Sequence, residues 1–327
     1  MRLSTHSDIS QVYELIGDEL RKVKAVIDGQ LSGADEPTRQ LLDSFGKNGG
    51  KMIRPALVLL SGRACDKITD EHIHIAAIIE MIHNATLLHD DVIDEGKTRR
   101  GVETVNSLWG NEAAVLLGDF MLSKVFRMCA SLEKQVIDII SQTAMQTCQG
   151  ELRQIMQRFN WRLSEQEYIE IITDKTAAIF ATCCKLGSFL AKGSKNVQET
   201  LACFGRDIGI AFQITDDLLD IVGKEEQTGK TGGNDVDKNK LTLPVINLLT
   251  NTPENQKGEV IKKLITARDS RHAFAEILKS NGSIEYSFNR AKEYVSKATS
   301  ELSPLASSSA KDALVKTANY IVERVTL

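Results

Sequence analysis

Proline is scarce in this chain, with 5 in 327 residues, so few positions are barred from the interior of a helix. Aromatic residues make up only 5%. Nowhere do eighteen apolar residues run together, and no membrane-spanning helix is expected. The six cysteines, Cys65, Cys129, Cys148, Cys183, Cys184 and Cys203, include no C-x-x-C pair and no regular framework. They read as reduced core thiols of a cytoplasmic protein rather than as a disulfide or zinc scaffold. A basic excess is missing too: the net charge of -4 offers no general attraction to nucleic acid or to an anionic membrane, so any phosphate recognition must rest on local clusters. The N-terminal Met-Arg-Leu-Ser-Thr-His lacks an apolar stretch behind its basic residue, and no signal peptide is expected.

What the chain does have is helical periodicity. Of its residues 42% are hydrophobic, and they recur at steps of three and four. The pattern runs from Ile9 to Ile27, Arg54 to Arg63, Asp70 to Asp94, Asn111 to Ser131, Lys134 to Phe159, Glu165 to Leu190, Gln198 to Val222 and Thr242 to Leu249. From Glu259 onward it continues in segments broken near Gly282 and Pro304. No sustained strand alternation interrupts the series, and no repeat or low-complexity linker divides it. The fold class predicted is all-α, with residues 1–327 forming one large helical domain.

Two segments carry the same acidic pattern, Asp90-Asp91-Val-Ile-Asp94 and Asp216-Asp217-Leu-Leu-Asp220. Each closes an apolar helix. At 3.6 residues per turn the first and last aspartates of each lie about 40° apart on one face, where they can share a cation. Acids in the last turn of a helix meet the negative end of its dipole, at a cost of roughly 0.3–1 kcal/mol each. A hard divalent cation would offset that cost; magnesium prefers carboxylate oxygens and completes its shell with water and substrate phosphates. One copy of the pattern would fit a solvated acidic face, but two copies in matching positions point to a paired metal-diphosphate site.

Basic residues accompany both clusters. Two glycines precede Lys51 and Arg54 in Gly49-Gly50-Lys51-Met52-Ile53-Arg54-Pro55, where a flexible backbone could close on an anion. Arg99-Arg100-Gly101 follows the first cluster, Lys175-Thr176 lies in a helical segment, and Lys230 and Lys240 bracket the loop after the second. Singly, each would read as a surface charge. His83 is seven residues before Asp90 and falls about 20° from it on the same face, where it could donate to a phosphate or serve as an ordinary structural histidine.

In these stretches, together with Gly118-Asp119-Phe120, Phe212-Gln213 ahead of Asp216 and Lys240-Leu-Thr-Leu-Pro244, the chain resembles the trans-isoprenyl diphosphate synthases, the polyprenyl synthetase family, long-chain type. The resemblance implies a bundle of long, mostly antiparallel helices around a deep central cavity. It also implies magnesium-assisted condensation of isopentenyl diphosphate with an allylic prenyl diphosphate, in a homodimer. By the same resemblance Asp90, Asp94 and Asp216 would hold three Mg2+ ions, supported by Asp91, Asp217 and Asp220. Arg99, Lys175, Thr176, Gln213, Lys230 and Lys240 would contact the allylic diphosphate; Lys51, Arg54, His83 and Arg100 would bind isopentenyl diphosphate. Met52 departs from a family position that is often basic, and Asn239 from one that is often glycine.

Product length is read from what blocks the groove beneath Asp90. The helix ending there would be about 36 Å long and holds no aromatic residue. Thr86, Ile79 and Ala76 share the face of Asp90; Gly205 and Gly209 lie below Asp216 and suggest either a groove wall or close helix packing. In the family, the positions of Ala85 and Thr86 gate chain length, and small residues there imply a product beyond twenty carbons, of thirty to forty. The alternatives are a synthase of fifteen or twenty carbons and the catalytic subunit of a heteromeric synthase. A di-iron bundle is hinted at by Glu80-Met-Ile-His83 but needs a second copy. Gly229-Lys230-Thr231 lacks the upstream glycine spacing of a P-loop.

Overall fold

The computed structural model describes residues 7–46, 50–223, 240–267 and 270–325. Among them the all-α expectation holds. Apolar periodicity becomes α1 (Ser7–Leu15), α2 (Gly17–Leu31), α3 (Glu36–Gly46), α4 (Ile53–Ala64), α5 (Asp70–Ile93), α6 (Val105–Trp109), α7 (Asn111–Cys129) and α8 (Lys134–Met156). Then follow α9 (Glu165–Ile172), a π-helical turn (Thr173–Ala177), α10 (Ala178–Leu190), α11 (Lys195–Val222), α12 (Leu243–Thr250), α13 (Glu254–Thr266), α14 (Arg271–Ser280), α15 (Ser283–Glu301) and α16 (Ser309–Glu323). Starts are set by side-chain caps. Ser164, Ser194 and Ser308 each accept the backbone N–H three residues on, and Glu167 closes a capping box back onto Ser164.

Helix α10 packs against α4, α5 and α11 and so joins the walls that carry the two acidic clusters. The main core includes Leu57, Ile75, Ile78, Phe180, Phe204, Ile208 and Ile214, all fully buried. A smaller cluster, in which Ala85 and Leu88 meet Val105, Ala114, Leu117 and Met121, seals the space between α5 and α7.

Three local features differ from the sequence reading. The first periodic segment breaks at Ile16, so that α1 packs on α16 while α2 packs on α5. Helix α3 lies outside the periodic series; its Leu41, Leu42 and Phe45 pack on the smaller cluster. The loop after α5 contains a short hairpin, β1 (Thr98–Arg99) with β2 (Val102–Glu103), turned by Arg100 (φ 52°) and Gly101 (φ 78°). Two successive positive φ angles suit a tight two-residue turn. For an arginine that conformation costs roughly 1–2 kcal/mol, and here it fixes where two adjacent guanidinium groups leave the chain.

Candidate active site

Asp90 and Asp94 end α5, and Asp216 stands near the end of α11. In both clusters the middle aspartate is buried and committed to protein partners. Asp91 accepts a two-pronged ion pair from Arg99, with Nε 2.9 Å and Nη2 2.7 Å from Oδ1. Its backbone carbonyl accepts from Asn106. Asp217 accepts from the Tyr168 hydroxyl at 2.6 Å and from the Gln213 amide at 2.7 Å, while the Thr176 hydroxyl donates to Gln213 at 2.6 Å. Gln213, Thr176 and Asp217 thus form one chain of hydrogen bonds.

The outer aspartates face cations. Lys240 donates to Asp94 at 2.8 Å, and Arg158 lies 3.5 Å from the same carboxylate. Burial alone would raise the Asp94 carboxyl, but Lys240, Lys175 and Arg158 overcome it and hold the group below the usual carboxylate range. Asp90 goes the other way. Burial pushes its carboxyl up, Glu151 and Asp94 add to the rise, and the attraction of Lys175 and Arg99 does not cancel them. Asp216 is paired with Arg324 at 2.9 Å, with its side chain 43% exposed. Asp220 is half-buried one turn further along α11.

Lys175 projects from the π-helical turn, an irregularity frequent at functional sites. It donates to Gln154 at 2.7 Å and pairs with Glu151 at 2.6 Å, both on α8. Gly150 makes this contact possible, since a Cβ there would lie 2.4 Å from the Lys175 backbone nitrogen.

The second basic group gathers around the start of α4. The buried guanidinium of Arg54 lies 5.0 Å from the centre of the Phe180 ring. Phe180 and Phe212 have ring centres 5.1 Å apart. On the far side Arg324 lies 4.3 Å from the Phe212 ring and donates to Thr215 at 2.7 Å. A ladder of arginine, two rings and arginine therefore links α4, α10, α11 and α16. Glu80, buried, sits in the field of Arg54 and Arg100, yet burial still raises its carboxyl. His83 is held well below the ordinary imidazole value by burial and by Arg54, Arg99 and Arg100, so it is neutral at pH 7. Lys51 is exposed and donates to the Tyr320 hydroxyl.

The structure pairs Lys240 with Asp94 and puts Lys175 and Arg99 in the field of Asp90, while Arg54, Arg99 and Arg100 act on His83 and Lys51 pairs with Tyr320. Lys230 lies outside the described residues. Arg99 is held by Asp91. Thr86 is half-buried and donates to the His83 carbonyl, whereas Ala85 is fully buried in the cluster under α7. The groove reading of the two glycines is corrected: a Cβ on Gly205 would lie 2.5 Å from the Phe180 carbonyl, and one on Gly209 2.6 Å from Ala177. Both serve close packing of α11 on the preceding helix. Ala76 and Ile79 are core residues as well. Glu151, Gln154, Arg158, Tyr168 and Arg324 were missed. The first three carried a signal, a polar stripe at helical spacing directly after Gly150; Arg324 and Tyr168 carried none.

The donor set suits a hard divalent cation, since the groups facing the site are carboxylate oxygens. Among the described residues no three acidic, histidine or cysteine side chains converge closely enough to hold an ion by themselves. No helix among them is long and apolar enough to cross a membrane.

Residues 35–280 match the family model described as polyprenyl synthetase. Octaprenyl diphosphate synthase of Escherichia coli is 35% identical over 97% of this chain and 99% of its own length. Heptaprenyl diphosphate synthase component 2 of Bacillus subtilis is 33% identical over 95% of the chain and 90% of its own. Among solved structures, a polyprenyl synthase from Caulobacter crescentus, complexed with calcium and isoprenyl diphosphate, superposes with a TM-score of 0.90. It is 28% identical, with 96% of this chain and 97% of that one covered.

Proposed function

This chain belongs to the polyprenyl synthetase family, and from that premise we propose that it joins isopentenyl diphosphate to an allylic diphosphate, farnesyl or geranylgeranyl, to make a long linear all-trans polyprenyl diphosphate. The observation that carries the reading is the pair Asp90 and Asp94 in the field of Lys175, Lys240 and Arg99, beside a second basic group, Arg54 and Arg100, that acts on His83 and Asp216. Residues 1–327 are read as one catalytic domain.

Asp90, Asp94 and Asp216 would hold Mg2+, three ions by family resemblance, which supplies charge neutralisation to the leaving diphosphate when bound. Water and oxygens of the substrate would complete the shell. Lys175, in the field of Asp90 and Asp94, and Lys240, paired with Asp94, would take up the charge that grows on the departing diphosphate, as would Lys230 by family resemblance; the gain is larger in the transition state than in the ground state. Thr176 and Gln213 present fixed donors and acceptors to the allylic diphosphate. Asp91 and Asp217 act through Arg99 and through Gln213.

Lys51, Arg54 and Arg100 receive isopentenyl diphosphate. His83, kept neutral, can donate one ring N–H to it without adding charge. Its double bond attacks the allylic carbon, and the proton lost from the adduct goes to the released diphosphate, so no separate protein base is called for. The apolar walls keep water away from the allylic cation.

The octaprenyl and heptaprenyl products named for its relatives support a product of thirty to forty carbons, and neither Ala85 nor Thr86 is aromatic. The six free cysteines fit a reducing compartment such as the cytoplasm. Leu116, Phe126, Met145, Leu152, Met156 and Phe159 stand 59–80% exposed on α7, on α8 and just after it. An apolar face of that kind supports a homodimer with a second copy over these helices.

The test is incubation with Mg2+, farnesyl diphosphate and labelled isopentenyl diphosphate, followed by sizing of the dephosphorylated products. A ladder ending at thirty carbons or more, absent with Asp90→Ala, is expected. A stop at fifteen or twenty carbons would overturn the product length. No product from folded protein would favour a subunit that needs a partner, as the name of the Bacillus subtilis relative allows.

A further inference from the structure

Lys51, a basic residue of the isopentenyl half-site, is held at its main chain by Tyr13 of α1 and at its side chain by Tyr320 of α16. The turn before α4 is tight: Met52 adopts φ 50°, and Lys51 stands exposed just ahead of it. From α1, the Tyr13 hydroxyl donates to the Lys51 carbonyl. From α16, the buried hydroxyl of Tyr320 accepts from the Lys51 ammonium. Helices α1 and α16 pack on each other, and α16 packs on α4, so the two tyrosines come from one rigid corner.

We propose that Tyr320 and Tyr13 are positioning residues for isopentenyl diphosphate, clasping Lys51 so that its ammonium is aimed before the substrate arrives. This rests on the assignment of Lys51 to that substrate. A free lysine side chain carries roughly 2 kcal/mol of rotamer entropy, which a ligand must otherwise overcome. The Tyr320 hydroxyl removes part of that freedom while leaving ammonium protons for the diphosphate. Tyr13 remains a donor, because burial, Tyr320 and Glu80 all raise its phenol. The same face of α16 carries Arg324 one turn on, against Asp216, so a single helix end touches both half-sites.

The experiment is a double-mutant cycle of Tyr320→Phe and Lys51→Ala, with KM measured separately for isopentenyl diphosphate and for farnesyl diphosphate. Tyr320→Phe keeps the ring and should fold, which its thermal transition checks. It should raise the KM for isopentenyl diphosphate about 5- to 10-fold, the scale of one ordinary net hydrogen bond, with kcat and the farnesyl KM within about twofold. In the Lys51→Ala background it should have no further effect. Tyr13→Phe should give a smaller shift of the same kind. An effect of Tyr320→Phe that persists without Lys51, or that falls equally on both substrates, would overturn the clasp and leave Lys51 in place. If Lys51→Ala itself leaves the KM for isopentenyl diphosphate unchanged, the assignment of Lys51 fails, and the clasp with it.

Discussion

The two acidic clusters are the same five-residue pattern on two helices, yet they are balanced in different ways. On α5 the middle carboxylate is matched by a full charge, the two-pronged guanidinium of Arg99, and the outer Asp94 by Lys240. On α11 the middle carboxylate is matched by neutral donors, Tyr168 and Gln213, and the outer Asp216 by Arg324. In both, the middle aspartate is buried and committed to protein partners, while its outer neighbours are less buried. The identical letters therefore hide a difference between a buried middle aspartate and less buried outer ones; the buried one accepts from a guanidinium on one wall and from a phenol and an amide on the other.

The comparison breaks most sharply at Asp90 and Asp91, adjacent residues with opposite predicted behaviour. Asp90→Asn should lower kcat by about 10³-fold or more, since it removes a ligand used in the transition state. The same change should raise the melting temperature of the metal-free protein. Burial puts the Asp90 carboxyl above its unfolded value, so the folded state binds that proton more tightly. Its ionisation costs stability progressively as pH rises from the unfolded pKa through the raised one. Asp91→Asn should instead leave Arg99 buried and unpaired, and lower stability by about 3 kcal/mol in a denaturant titration. Equal effects of the two substitutions on stability would erase the distinction.

On the other wall, Tyr168→Phe removes one neutral donor from Asp217 and should cost about 1 kcal/mol of stability. A cost as large as that of Asp91→Asn would mean that the Tyr168 hydroxyl matters to Asp217 as much as the Arg99 guanidinium does to Asp91. His83 adds a pH test. Its folded pKa lies well below the ordinary value, so the unfolded chain takes up a proton that the folded one refuses. Stability should fall as pH drops below about 6.5, and His83→Gln should flatten that part of the profile. The smallest effect belongs to Arg324→Gln. Removing a cation from beside Asp216 should tighten Mg2+ severalfold in the presence of inorganic diphosphate, as read by calorimetry; weaker binding would mean that Arg324 helps hold the ligand.

The helices were legible because apolar residues at steps of three and four survive any detail of packing. Asp70–Ile93 and Lys195–Val222 begin and end within a few residues of the periodic segments. The two aspartate clusters were legible as candidates because sharing a cation needs carboxylates one turn apart. What the sequence did not reveal depends on contacts far apart in the chain. That Asp91 is spoken for by Arg99 but Asp90 is not follows from which side of α5 faces the hairpin, and a motif of adjacent aspartates does not encode it. The π-helical turn at Lys175 depends on Gly150, 25 residues earlier. Gly205 and Gly209 showed that a small residue on a helix face marks close packing as readily as open space, and only the position of Phe180 and Ala177 distinguishes the two. Arg324 and Tyr320 reach the site from the last helix, with no motif around them.

The difference between outer and middle aspartates is tested most directly by titrating Mg2+ into the protein with inorganic diphosphate present, for wild type, Asp90→Asn and Asp91→Asn, at a temperature where all three are folded. Asp90→Asn should lose metal binding, while Asp91→Asn should keep an affinity within about tenfold of wild type. Metal binding lost with Asp91→Asn and retained with Asp90→Asn would contradict the account.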